Sequence, residues 1–221
     1  MSRGDAGAGY PDTWYVATGL QRAPRPPLSG KHHCGVGVVG GGLAGLSVAL
    51  ELVRSGVTVT LIEAERVAWG ASGRNGGFVT PGFALDLDCV VSRCGDDVAE
   101  RLYGYSRLGA ERVRENIELI APHCLMGQGK YAVSRYPAAE EMAGYARQLQ
   151  QRFSEEAQYL DTDALQQIIR SKRYYDGVYK PGGFHIHPLN YALALADEVE
   201  RKGGSIHENS RALKIDHSNG Q

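Results

Sequence analysis

One short stretch constrains this chain more than any other: Gly-Gly-Gly-Leu-Ala-Gly at 40–45. An apolar run at 36–39 precedes it and reads as a buried strand ended by glycines. Behind it, Leu43, Leu46, Leu50 and Val53 recur at steps of three and four, one apolar face of a helix. Gly56 is the natural stop of that helix. The β-branched and aliphatic run 57–63 then reads as a second strand, ending on the carboxylate of Glu63. Strand, helix and strand in so short a span make a βαβ unit, hence a parallel sheet with a right-handed crossover.

Each part of this pattern has a physical role. Gly40 permits a tight turn, Gly42 lets a pyrophosphate approach the backbone, and Gly45 lets the helix pack on the strand. The helix N-terminus offers unpaired amides and partial positive charge to phosphate. Glu63 can accept both hydroxyls of an adenosine ribose and would repel a 2′-phosphate. With the acid in its place after the second strand, the pattern is a dinucleotide site and disfavours NADP.

A second cluster, Gly-Ala-Ser-Gly-Arg-Asn-Gly-Gly at 70–77, bears on which dinucleotide. In a nicotinamide dehydrogenase the second strand runs on into another helix. Here a glycine-rich loop follows Glu63 too closely for one. Such a loop can set Ser72 and the amides of Asn75, Gly76 and Gly77 along a pyrophosphate and toward a large flat ring, with Arg74 to neutralise charge.

Together these segments resemble the FAD-dependent D-amino-acid and amine oxidases, and among them gamma-glutamylputrescine oxidoreductase-like members, whose N-terminal arm also carries an aromatic knot like Pro11-Asp12-Thr13-Trp14-Tyr15. The specific motifs cover about 35–77, and a looser likeness covers 185–216. The resemblance implies an α/β fold: a Rossmann-like FAD-binding βαβ domain with inserted substrate-domain helices and strands. It implies that Gly40, Gly42, Leu43 and Ala44 hold the pyrophosphate, with Gly45 in the same cofactor-binding loop, and Glu63 the ribose. Ser72, Arg74, Asn75, Gly76 and Gly77 would line the inner pyrophosphate and ring, and the backbone around Leu213 would lie near the adenine. No histidine or cysteine stands in 70–78, so FAD is expected to be non-covalent. The implied reaction is oxidation of an amine or amino acid to an imine by hydride transfer to flavin, with oxygen as oxidant. Family members are longer, so the chain reads as an N-terminal portion. The rival readings are a truncated, non-catalytic nucleotide-binding fragment and an NAD-linked dehydrogenase. No catalytic residue can be assigned.

The expected organisation is an arm (1–34), a first part of the FAD-binding domain (35–95), a helical and substrate-domain insertion (96–184) and a return to the FAD-binding domain (185–221). The Trp14–Tyr15 knot is expected to dock on the body. Helices are predicted over 96–121, 137–153 and 161–171, the last capped by Asp161 or Thr162. A strand is predicted over 129–134, a hairpin over 173–187, a helix from Pro188 to the Gly203–Gly204 pair, and strands over 205–208 and 211–216.

Charge and cysteine narrow the partners. The 24 basic and 25 acidic residues nearly cancel, which disfavours nucleic acid and anionic membrane surfaces. The uncharged stretch 34–50 is short for a membrane span and contains six glycines. Four cysteines without zinc spacing, and an arm that lacks a secretory signal, suggest a cytoplasmic protein with free thiols. His185 and His187 fall on one side of a strand but lack a third ligand, so a structural role is expected. Tyr174, Tyr175 and Tyr179 suit either an amine pocket or sheet packing. The sequence leaves the oligomeric state open.

Overall fold

A computed structural model describes residues 9–216. The chain divides into two compact units. One holds the residues up to Gly77, Leu119–Cys124 and the chain from His187 onward; the other holds Phe78–Glu118 and Leu125–Ile186.

The first unit contains helix α1 (Trp14–Thr18), strand β1 (Val36–Val39), helix α2 (Leu43–Arg54) and strand β2 (Val59–Ile62). In the second lie β3 (Phe78–Val79) and α3 (Leu87–Cys94), then α4 (Asp96–Ile120), whose last residues return to the first unit. It continues with β4 (Leu125–Val133), α5 (Ala139–Phe153), β5 (Gln158–Leu160), α6 (Thr162–Ile168) and β6 (Gly177–Ile186). Helix α7 (Pro188–Arg201) and strand β7 (Ser205–His207) complete the first unit.

The first unit is the expected α/β element. Its sheet is parallel, in the order β1-β2-β7, with Val36 opposite Val59 and Thr60 opposite Ser205. Helix α2 buries Leu46, Ala49, Leu50 and Val53, the predicted face, against β1, β2 and α7. Gly56, at φ +80°, ends it. Helix α7 is buried along most of its length, with Ala192, Leu195, Ala196 and Val199 fully enclosed.

The arm docks on this unit through Tyr15, whose ring stands edge-on to His187 at 5.0 Å. Trp14 does not follow it and remains 69% exposed. Farther along, the Leu20 amide donates to Asn190 Oδ1 and the Arg25 amide to Glu208 Oε2.

The second unit is an antiparallel sheet in the order β3-β6-β4, with β5 also on β6. Its helices cover it through Tyr103, Leu149, Phe153 and Val178. Where a hairpin was expected over 173–187, one ten-residue strand runs through. Its glycines make room instead of turning the chain. A Cβ on Gly183 would lie 2.9 Å from Lys130 Cβ, and one on Gly177 would lie 3.1 Å from the Ala132 carbonyl oxygen. The irregularity sits in β4, whose register shifts on either side of 127–128 and whose Gly129 has φ +77°.

The strand expected over 211–216 does not form, and those six residues are exposed. Asn209, at φ +51°, turns the chain after β7, and Ser210 N donates to the Glu63 carbonyl at 2.7 Å. The helices at 96–121, 137–153 and 161–171 are present within a few residues of expectation. Asp161 is the cap of the last, accepting from Ala164 N at 2.8 Å.

Candidate cofactor-binding site

The glycine loop joins β1 to α2. Gly40 adopts φ +104°, a conformation open to glycine at little cost, and its amide still donates to the Ile62 carbonyl at 2.8 Å. Gly42 is the extended residue that caps α2 without a side chain. A Cβ on Gly45 would lie 2.0 Å from the Gly40 carbonyl oxygen and 3.3 Å from Val38 Cγ1. Only glycine lets the first helical turn sit so close to the end of β1.

Two polar side chains meet this loop. Glu63 Oε2 accepts from Gly41 N at 2.6 Å, while Oε1 accepts from Glu65 N at 2.9 Å. Ser72 Oγ accepts from Leu43 N at 3.0 Å. The leading amides of a helix have no partners within it; Leu43 and Ala44 stand at this end of α2. A Cβ on Gly42 would come to 3.0 Å from Ser72 Oγ. Gly40–Gly45, Glu63 and Ser72 thus form one backbone-lined cradle.

The rest of the second glycine cluster shapes itself. Residues Ala71–Gly73 form a short 3-10 turn. Gly73 is packed so closely that a Cβ would meet the Ala68 carbonyl oxygen at 2.4 Å. Asn75 folds the loop from within: its Nδ2 donates to the Ser72 carbonyl at 3.0 Å and its Oδ1 accepts from Gly77 N at 2.8 Å. Gly76 is exposed and Gly77 has φ +70°. Arg74 donates to the Gly70 carbonyl and lies over the Trp69 ring at 5.1 Å. Leu213 is 90% exposed, in the segment without regular structure.

Two neighbours of the cradle lie outside the motif reading. The Trp69 indole Nε1–H is buried with no acceptor among the described residues. Burial without a partner is costly, so this donor marks a place where a bound group can supply one. Glu208, fully buried at the end of β7, accepts from Val67 N, Arg66 Nε and Arg25 N at 2.7–2.9 Å. It holds the segment that joins Glu63 to the second loop. An acid closing the third strand was the available signal.

His187 serves the fold. Its Nδ1 accepts from Asn190 N, capping α7, and its Nε2 faces Thr18 Oγ1 at 3.2 Å. His185 packs beside Phe78 at 5.3 Å. Among the described residues no cluster of three or more His, Cys, Asp or Glu is placed to hold a metal, and no helix is long and apolar enough to cross a membrane.

An all-glycine turn, a capping oxygen from Ser72, a carboxylate at the second strand's end and an orphan donor at Trp69 suit a dinucleotide with a pyrophosphate and ribose. The known proteins agree. The chain is similar to gamma-glutamylputrescine oxidoreductase of Escherichia coli (strain K12), at 32% identity over 210 residues, which cover 95% of this chain and 49% of that protein. It is equally similar, at 32% over 210 residues, to the probable oxidoreductase OrdL of Haemophilus influenzae, covering 94% of this chain and 49% of that one. The chain therefore spans about half the length of these relatives. Glycine oxidase from Geobacillus kaustophilus shares the fold, with a TM-score of 0.65 at 19% identity over 85% of this chain and 50% of that one. So does L-amino acid deaminase from Proteus myxofaciens, with a TM-score of 0.67 at 16% identity over 85% and 40% of the two chains. The pattern described for the FAD dependent oxidoreductases (DAO) matches residues 35–221, and with the cradle it places the chain in that family of FAD-binding flavoenzymes.

Proposed function

We propose that these residues are the N-terminal part of an enzyme that oxidises the C–N bond of an amine or amino acid to an imine, with oxygen as the final acceptor. Bound FAD supplies the hydride acceptor. The chain's own residues bind and orient it. The backbone of Gly40, Gly42, Leu43 and Ala44 and the positive end of α2 hold the pyrophosphate, with Gly45 letting the helix come close beneath it. Glu63 turns its carboxylate to the ribose hydroxyls. Ser72, Arg74, Asn75, Gly76 and Gly77 line the inner pyrophosphate and the ring, and the backbone near Leu213 borders the adenine. With no histidine or cysteine in 70–78, the flavin is held without a covalent bond. The protein works in the cytoplasm on a small molecule.

The observation that carries this reading is the cradle: Gly40 at φ +104°, with Gly41, Gly42 and Gly45, where a Cβ would meet close neighbours, met by Glu63 and Ser72. The amine or amino-acid class rests on similarity to gamma-glutamylputrescine oxidoreductase, of which the chain covers 49%.

The test uses the full-length protein. As purified it should show flavin absorbance bands, and these should bleach when an oxidisable amine is added without oxygen. Gly42→Val should abolish flavin retention, because its side chain meets Ser72 and fills the space that the pyrophosphate needs. Tight NAD binding without flavin bands would overturn the reading. Flavin bands that no amine or amino acid bleaches would overturn the reaction while leaving the cofactor.

A further inference from the structure

Among the described residues, three besides the glycines have a positive φ: Ala68, Ser154 and Asn209. Ser154 ends α5, where a left-handed residue is common. Asparagine tolerates the left-handed region through its short polar side chain. Ala68, at φ +57° and 2% exposed, has neither reason. Strain of this kind persists only where the surroundings over-determine it.

Ala68 stands between the two glycine loops. Its amide donates to the Gly41 carbonyl at 2.9 Å, and its own carbonyl oxygen lies 2.4 Å from where a Cβ on Gly73 would fall. A trans peptide sets its C=O and N–H in opposite directions. Anchoring the Gly41 carbonyl on Ala68 therefore also fixes the aim of the Gly42 N–H.

The groups that hold Ala68 come from far along the chain. Val67, just before it, is fully buried, and distant side chains take both of its backbone groups. Its amide donates to Glu208 Oε1 at 2.7 Å, across 141 residues. Its carbonyl accepts from the Tyr10 hydroxyl at 2.8 Å, across 57 residues. Arg66 closes the ring: Nε donates to Glu208 Oε2, Nη2 donates to the Arg22 carbonyl at 3.0 Å, and the guanidinium covers the Tyr10 ring at 4.8 Å. Burial, opposed by the Arg66 charge, pushes the Tyr10 phenol up to about 12, so it stays a donor. An arm that served stability alone has its anchor already in Arg25, which meets Glu208, Asp197 and Glu200. Tyr10 reaches instead the peptide that precedes the strained residue.

We propose that the N-terminal arm is a clasp on the cofactor. Tyr10 and Glu208 grip Val67, Ala68 is thereby kept in its left-handed conformation, and the Gly41–Gly42 peptide keeps the aim that the pyrophosphate needs. Both are positioning residues, acting through Ala68, and FAD is held tightly only while the arm is docked. The clasp rests on the flavin reading of the cradle.

The test uses the full-length protein, stripped of flavin and titrated with FAD while flavin fluorescence is followed. Tyr10→Phe keeps the ring under Arg66 and loses only the hydroxyl. It should raise the Kd for FAD at least fivefold. Glycine takes a positive φ without help, so adding Ala68→Gly to Tyr10→Phe should return the Kd to within twofold of the parent's; a hydroxyl that merely packed the arm would not be rescued this way. In the flavin-free protein, hydrogen exchange at the Ala68 amide, read by mass spectrometry with electron-transfer fragmentation, should quicken at least fivefold in Tyr10→Phe while the amides of α2 exchange as in the parent. Equal FAD affinity in parent and Tyr10→Phe overturns the clasp alone, as does a loss that Ala68→Gly leaves unrepaired or an unchanged exchange rate at Ala68. A parent that takes up no FAD overturns the flavin reading and the clasp together.

Discussion

At the scale of single residues, sterics and burial set the outcome. Gly45 has no latitude, because a methyl group there would lie 2.0 Å from a backbone oxygen that cannot swing aside. Gly45→Ala should cost about 1–3 kcal/mol and release the flavin, measured as a lowered melting temperature and a colourless protein. Cys124 is a contrasting case. Fully buried, its thiol is pushed from 9.0 to about 12 by desolvation. The unfolded chain therefore loses this proton first as pH rises. Stability tied to the site is complete below pH 9 and declines between 9 and about 12. Urea midpoints measured across that interval should fall, and less steeply in Cys124→Ala. The same burial predicts that Cys34, exposed, reacts with maleimide long before Cys124. A slope unchanged in Cys124→Ala would assign the alkaline loss to other groups.

At the scale of elements, local signals worked where the deciding partner is close in sequence. Asp161 caps α6 three residues before the amide that it accepts from, and both cap and helix were legible. Asp161→Ala should cost about 1 kcal/mol, seen as faster hydrogen exchange at the Ala164 amide with little change at α5. The strand, glycine turn, helix and second strand that form the cradle were legible for the same reason. Strand β6 was not. Whether glycine bends a chain or lets two strands touch depends on what stands opposite, and Gly183 faces Lys130, a residue the local pattern cannot supply. The segment 211–216 has a strand-like composition but no neighbouring strand among the described residues, so its residues stay exposed. Trp14 fails similarly: its neighbour Tyr15 found His187, and no pattern in the arm says which of the two rings will.

At the scale of the whole molecule, the least legible features join distant parts of the chain. Glu208 gathers Arg66 across 142 residues and Arg25 across 183. Arg25 also reaches Asp197 and Glu200 on α7. Removing this one acid would take the carboxylate partner from the half-buried Arg66 guanidinium and leave the Val67 and Arg25 backbone amides without their acceptor. Glu208→Ala should lower stability by about 3–5 kcal/mol, read by urea denaturation, and should speed trypsin cleavage after Arg22 as the arm loosens. A cleavage rate equal to the parent's would show that the arm is held elsewhere. The chain's order carries a further consequence, for synthesis. Strand β2 lies between β1 and β7, yet Thr60 and Ser205 are 145 residues apart. At about 5–20 residues per second a ribosome needs roughly 7–30 s to make the intervening chain. For that interval one edge of β2 waits without its mate, while the second unit is already emerging. A nascent chain built this way calls for a chaperone that shields the half-made sheet, and slowing translation between the two strands should lower the yield of folded protein.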